Sequence, residues 1–130
     1  MSRILLVEDN PSNRKLLGGH LRRAGHEVRE TETAEEALSL ARREPLDLVV
    51  MDIQLPGTDG LTATRLLRAD PRTRHLPVLA VTAHAMQGDE SRILAAGCSA
   101  YTAKPVAYKE FLTLVAELLA NARTKAEEKA

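Results

Sequence analysis

Cysteine is almost missing from this chain: Cys98 stands alone among 130 residues. An intramolecular disulfide is excluded, and so is any multi-cysteine zinc site. Aromatic residues are nearly as scarce at 2%, namely Tyr101, Tyr108 and Phe111, with no tryptophan. All three lie toward the C-terminus, which leaves no aromatic platform for stacking nucleobases or a flavin. Neither sign of charge dominates: eighteen Lys and Arg balance eighteen Asp and Glu, for a net charge of +0. Such a chain lacks the positive footprint of a general nucleic-acid binder. It also lacks a polybasic block for anionic membranes. Long apolar runs are missing too. The N-terminal one, Ile4 to Val7, is too short for a signal-peptide core or a membrane span. A cytoplasmic protein with no membrane insertion and no direct DNA binding is expected.

At 130 residues and 14.2 kDa the chain has the length of one domain. Surface scaling buries roughly two-thirds of the open chain's area, enough for a core without staples. Short apolar runs alternate with amphipathic stretches. Ile4 to Val7, Leu48 to Met51 and Val78 to Val81 are apolar on both faces, the pattern of parallel strands covered by helices. Glu27 to Thr31 and Ala100 to Ala103 read as two weaker strands.

Between the strands the helices carry readable punctuation. Asn10-Pro11 predicts an N-cap and a first-turn proline, followed by a stripe of Leu16, Leu17 and Leu21 and a stop at Gly25. Gly18-Gly19 inside that helix costs about 1 kcal/mol each relative to alanine, with close packing as the expected reason. Thr33 to Glu36 reads as a capping box. A third helix runs from Gly60 to before Pro71 with Leu61, Leu66 and Leu67 inward, and a fourth, thinly apolar, from Gly88 to Ala96. The fifth has the clearest stripe: Tyr108, Phe111, Leu112, Val115, Leu118 and Leu119. The expected domain is residues 1–122, with a charged tail over 123–130 that frays.

Five β-α repeats with right-handed crossovers make a doubly wound α/β fold. The expected form is a five-stranded parallel sheet of order 2-1-3-4-5 in a flavodoxin-like three-layer sandwich with five helices. In such a sheet the residues just past each strand share one edge, where ligands bind. Here that edge holds Glu8-Asp9, Asp52, Thr82 and Lys104. Three carboxylates close together repel, and one protonates unless a cation intervenes. Oxygen-only ligation suits Mg²⁺. A lysine and a hydroxyl opposite can hold phosphoryl oxygens, and a central carboxylate can act as nucleophile. The group therefore reads as metal-assisted phosphoryl transfer onto an aspartate.

At these residues the chain resembles the receiver domain of two-component response regulators, of the chemotaxis-regulator type. The matching stretches are Ile4 to Asn10, Met51 to Gly60, Val81 to Met86 and Tyr101 to Pro105, in family order over about residues 3 to 121. Ala85 to Glu90, with Ala96-Gly97-Cys98, is most similar to single-domain cell-cycle regulators of the DivK kind. The resemblance implies that Asp52 is the phospho-acceptor and that Asp9 binds Mg²⁺, Glu8 assisting directly or through water. It implies that Gln54 offers its backbone carbonyl to the metal, that Thr82 bonds the phosphoryl group and that Lys104 pairs with it. Mn²⁺ is expected to substitute for Mg²⁺, and the Lys104-Pro105 peptide is expected to be cis. The donor is a phosphohistidine on a histidine kinase or histidine phosphotransfer protein. The output is contact with a downstream protein, with the chain a monomer or a weak phosphorylation-dependent dimer. On this reading the chain is a stand-alone regulator, not an enzyme beyond its own phosphotransfer and autodephosphorylation.

Several residues admit two readings. Tyr101 is either a half-buried strand tyrosine with a wet hydroxyl or a switch that fills the space Thr82 vacates. Met86, Ala96 and the Tyr101 region would then form the output surface. His84 is either an exposed histidine or, with Gln54, a flank of the attacking water's path that sets the acyl phosphate's lifetime. His20, His26 and His75 form no ligand set on this topology and read as surface residues, and Cys98 as a small buried hydrophobe beside Gly97. Three other functions compete. An aspartate-nucleophile phosphatase of the haloacid dehalogenase type needs a second acid where Gln54 stands. A flavodoxin-like cofactor binder needs a phosphate loop where Glu8 to Pro11 stands. A receiver-like interaction module would work without phosphorylation.

Overall fold

The computed structural model describes residues 2–83 and 89–129, with side chains as far as residue 124. The elements alternate without exception: β1 (Arg3–Val7), α1 (Pro11–Arg23), β2 (Glu27–Thr31), α2 (Ala34–Arg43), β3 (Leu48–Asp52), α3 (Gly60–Ala69), β4 (Val78–Thr82), α4 (Asp89–Ala95), β5 (Ala100–Ala103) and α5 (Tyr108–Lys129). All strand pairs are parallel, in the order β2-β1-β3-β4-β5.

Side chains alternate across a strand, so each apolar run feeds two layers. Ile4, Leu6, Leu48, Val50, Leu79 and Val81 pack with Leu17 and Leu21 of α1 and with Phe111, Val115 and Leu119 of α5. Leu5, Val7, Val49, Met51, Val78 and Ala80 face the other way, against α2, α3 and Ile93 of α4. Burial on both faces is why β1, β3 and β4 carry no polar alternation. Each aliphatic side chain so buried contributes about 1.5–3 kcal/mol relative to exposure. The outermost strand β2 is different: Glu27, Arg29 and Glu30 are exposed, and they pair with Arg3, Glu44 and Arg22. Charge along an unpaired edge discourages another strand from adding there.

The helix starts are set locally. Asn10 accepts from the Asn13 N–H at 3.0 Å, with Pro11 at the first helical position. Asp59 accepts from the Thr62 N–H at 2.8 Å. Thr33 accepts from the Glu36 N–H at 3.2 Å. The Glu36 carboxylate takes the Thr33 hydroxyl at 3.1 Å, so this cap differs from a full box, in which the carboxylate takes the cap's own N–H. α1 ends before Gly25, at φ 94°, a left-handed conformation that glycine tolerates without a Cβ clash.

Three stripe residues are not inward. Leu16, Leu66 and Tyr108 are 51%, 42% and 50% exposed. Leu16 and Leu66 each precede a buried leucine, Leu17 and Leu67, and successive helical residues point about 100° apart, so only one of the two can face the sheet. Tyr108 opens α5 and lies on α1 instead, its ring stacked on His20 with centroids 5.3 Å apart. His20 is consequently half-buried, as is His26, while His75 is exposed. A Cβ at Gly18, which is buried, would meet the side chains of Arg22 at 3.1 Å and of Glu30 and Leu6 at 3.7 Å, whereas one at Gly19 would meet the Arg23 guanidinium. α5 continues to Lys129 across the segment expected to fray, consistent with its run of Ala, Arg, Lys and Glu, all good helix formers.

α4 is the thinnest element, with Ile93 as its buried residue. Its far end is held by Arg68 from the last turn of α3. That guanidinium donates from Nε to the Gly97 carbonyl at 2.9 Å, from Nη1 to the carbonyls of Arg74 at 3.0 Å and Leu76, and from Nη2 to Ser99 Oγ at 3.4 Å. One cation thus ties the turn that follows α3 to the loop between α4 and β5. Burial lowers its pKa.

Candidate functional site

The four polar strand tips are brought together by register. Val7 lies beside Met51, Asp52 beside Val81 and Thr82 beside Ala103, so the residues that end each strand emerge at one edge. Backbone bonds carry the ladder past the strands: Glu8 N to the Thr31 carbonyl at 3.1 Å, Ile53 N to Val81 at 3.0 Å and Lys104 N to Thr82 at 2.8 Å. The Lys104–Pro105 peptide is cis.

Lys104 Nζ donates to Glu8 Oε1 and to Asp52 Oδ2, both at 3.1 Å. The other Asp52 oxygen accepts from the Gln54 N–H at 3.0 Å. Asp9 completes the acidic group: ligand atoms of Glu8, Asp9 and Asp52 all lie within 4.8 Å of one another. Glu8 and Asp52 are 1% and 3% exposed, whereas Asp9 is open to solvent. Glu8, Asp9, Asp52 and Lys104, all expected at this edge, are brought together there.

Burial is the main cause that raises the Glu8 carboxyl to about 7. The neighbouring Asp52 adds to the rise and Lys104 opposes it. For Lys104, burial pulls the ammonium down, but Asp52 and Glu8 together outweigh it and its pKa ends above the ordinary value. The lysine therefore stays charged, and one ammonium faces three carboxyl groups. That excess of oxygen, with no nitrogen or sulfur donor, fits a hard divalent cation of the Mg²⁺ kind, which would relieve the repulsion that burial magnifies.

Gly60 explains how the β3–α3 turn can lie so close to Asp52. A Cβ there would fall against the Asp52 carbonyl oxygen, 2.9 Å from Ile53 Cα and 3.0 Å from the Asp52 carbonyl carbon. The helix can dock over the strand tip only without a side chain. Gln54 spans the gap from this turn to β4: its Nε2 donates to Thr82 Oγ1 at 3.3 Å, and its Oε1 accepts from the Ala83 N–H at 3.2 Å. Thr82 is buried.

Tyr101 lies beside Ala80 in the sheet, on the α3/α4 side, and packs partly buried against that core. Burial first, and then the Glu90 carboxylate of α4, hold its hydroxyl above the ordinary pKa. The hydroxyl thus faces α4 rather than water alone. Ala96 is buried. His84 and Met86 lie outside the described residues. Cys98 is buried, with Sγ 3.7 Å from Thr64 Oγ1. Among the described residues the acidic trio is the one group able to hold a metal ion, and no histidine joins it. A hollow of about 520 Å³ by Arg42, Leu66 and Asp70 is not part of this edge. There Asp70 is ion-paired to Arg42 and Arg72.

Arg14 escaped the sequence reading. Its Nη1 donates to the carbonyls of Glu8 at 3.0 Å and Asp9 at 3.4 Å. A signal was present: an arginine near the opening of a helix with no acidic residue in its first turn, where the macrodipole favours the opposite sign.

The family model for the response regulator receiver domain matches residues 4–116. The polar-differentiation response regulator DivK of Brucella ovis is 44% identical over 119 residues, covering 92% of this chain and 97% of that protein. DivK of Brucella anthropi is equally similar, 44% over 119 residues with the same coverage. Among solved structures, the receiver domain of sensor histidine kinase PA1611 from Pseudomonas aeruginosa PAO1, with a magnesium ion coordinated in its active-site cleft, is 38% identical. It superposes with a TM-score of 0.86 over 92% of this chain and 98% of that one. A CheY-like receiver domain protein from Methanospirillum hungatei is 27% identical, with a TM-score of 0.88 over 96% and 98% of the two chains.

Proposed function

We infer the function from one premise: this chain belongs to the response regulator receiver domain family, and it works in two-component signalling. We propose that Asp52 is its phospho-acceptor. The observation that carries this is the Lys104 ammonium bridging Glu8 and Asp52 at 3.1 Å each, with Asp9 closing an oxygen-only trio. Glu8, Asp9 and Asp52, with the Gln54 carbonyl, would hold Mg²⁺, which when bound neutralises negative charge on the incoming phosphoryl oxygens. Mn²⁺ would serve in its place.

The residues of the chain supply the rest. Lys104 and the Gln54 N–H each hold one Asp52 oxygen, so the carboxylate is oriented before the donor arrives. An Asp52 oxygen attacks phosphorus as the phosphorus–nitrogen bond of a phosphohistidine breaks; the ring nitrogen keeps the electron pair, and the imidazole, which already carries a proton on its other nitrogen, leaves neutral. Lys104 and the Thr82 hydroxyl then take phosphoryl oxygens. The added charge of nearly −2 draws Thr82 away from its present partner Gln54, and Tyr101 follows into the vacated space. That shift changes the surface around α4 and β5 that a downstream protein reads. The donor is a histidine kinase or histidine phosphotransfer protein, and the chain acts as a monomer or a weak phosphorylation-dependent dimer. Gln54, whose side chain bridges from the loop after Asp52 to Thr82, would together with His84 set how long the acyl phosphate survives.

The test is intact mass after mixing with a small acyl-phosphate donor, with and without Mg²⁺. Wild type gains one phosphoryl group only with the metal, and Asp52→Asn gains none at that position. A phosphorylated Asp52→Asn chain would refute the assignment. Timing the loss of the group in Gln54→Ala reads the lifetime role, and an unchanged decay discards it.

A further inference from the structure

We propose that Arg14 is a positioning residue for the Glu8–Asp9 loop, its guanidinium fixing that stretch of backbone so that both carboxylates are presented to a divalent cation. The inference rests on the metal-site reading above and concerns the segment that carries two of the three carboxylates. Only Glu8, Asp9 and Asn10 link β1 to α1. Glu8 makes the last ladder bond, to the Thr31 carbonyl, and Asn10 is already the helix cap. Asp9 stands between them, exposed.

Arg14 holds this link from behind. Its Nη1 is shared between two consecutive carbonyl oxygens, Glu8 at 3.0 Å and Asp9 at 3.4 Å. The rest of the fork is itself anchored, Nη2 to Glu32 at 3.2 Å and Nε facing Glu30 at 3.7 Å. The side chain is only 19% exposed. A planar fork can hold a fixed geometry that a lysine cannot. A cation near a helix N-terminus works against the macrodipole, so simple helix stability does not explain the choice of residue. Arg22 offers the contrast: it pairs with the same Glu30, at 2.7 Å, but is half-exposed and sits two turns further along α1.

Charge and positioning predict opposite signs, which makes the inference testable. Removing a positive charge near an acidic site should tighten binding of a divalent cation on electrostatic grounds alone. Losing a group that orients the ligands weakens metal binding, typically by about 10- to 100-fold. The experiment is calorimetric titration of Mg²⁺ into the full chain, for wild type, Arg14→Met, Arg14→Lys and the control Arg22→Met. Melting curves without metal verify that each is folded. Arg14→Met is expected to bind Mg²⁺ about 10-fold more weakly and Arg22→Met as tightly as wild type or more so. Arg14→Lys keeps the charge and loses the fork, and it is expected to bind more weakly than wild type. It carries the test if Arg14→Met does not fold. Folded Arg14 variants that match or exceed wild-type affinity overturn the inference while the metal-site reading stands. A wild-type chain that binds no Mg²⁺ overturns that reading and this inference with it.

Discussion

In metal-free protein, stability should fall as pH rises through the range in which Glu8 loses its proton. The Glu8 carboxyl is raised from its ordinary 4.5 to about 7, first by burial and then by Asp52, against the pull of Lys104. Between those two values the folded chain keeps a proton that the unfolded chain has released. The folded state therefore binds more protons, and the free energy of unfolding decreases with increasing pH. The stabilising contribution is fully present below about 4.5 and gone above about 7. A tenfold change in proton affinity is worth about 1.4 kcal/mol, so the whole span is about 3 kcal/mol. With a urea slope of about 1.5–2 kcal/mol per molar, that moves the unfolding midpoint by about 1.5–2 M.

The assay is urea unfolding in EDTA at a series of pH values from 5 to 8, for wild type and Glu8→Gln. The difference between the two curves is the informative quantity. His20 and His26 have lowered pKa values, burial being the main cause in each. They contribute the opposite slope, stability gained as pH rises, but equally in both proteins. Glu8→Gln loses the falling component and should overtake wild type near pH 8. Saturating Mg²⁺ should recover wild-type stability there, because a bound cation offsets the penalty of the charged carboxylate. A pH-independent difference between wild type and Glu8→Gln would refute the reasoning.

Two further outcomes follow from close contacts. Gly60→Ala drives a Cβ into the backbone of Asp52 and Ile53, which cannot yield as a side-chain tip can. It should cost about 1–3 kcal/mol and slow phosphorylation by an acyl phosphate by up to about 100-fold, since small misplacements are amplified in a transfer step. Chemical denaturation and timed intact mass check both parts. Arg68→Met removes a charged donor from the Gly97, Arg74 and Leu76 carbonyls and from Ser99. It should cost about 2–4 kcal/mol in urea yet leave the Mg²⁺ affinity measured by calorimetry unchanged, because Arg68 acts at the sheet edge remote from Asp52.

Much of this protein is determined by information that lies close together along the chain. Apolar runs at Ile4, Leu48 and Val78, caps at Asn10, Thr33 and Asp59, and stops at Gly25 and Gly97 reflect local propensity and periodicity, which depend on neighbours a few residues away. Handedness then leaves few ways to assemble five β-α units, and the observed strand order is among them. The chemistry at the strand tips was legible for the same reason: parallel strands put their last residues on one edge whatever the side-chain details. Only the tertiary structure decided the remainder. Which leucine of each adjacent pair faces inward, Leu17 and Leu67 rather than Leu16 and Leu66, depends on how each helix is rotated against the sheet. The role of Arg68 exists only once the Gly97 carbonyl, 29 positions along the chain, is brought to it, whereas Arg14 reaches carbonyls five and six positions away. The high proton affinity of Glu8 does not exist in an extended chain, because it arises when desolvation and the field of Asp52 act on one carboxyl group. The first needs the surrounding chain to exclude water and the second needs a residue 44 positions away to come close, and only folding does either.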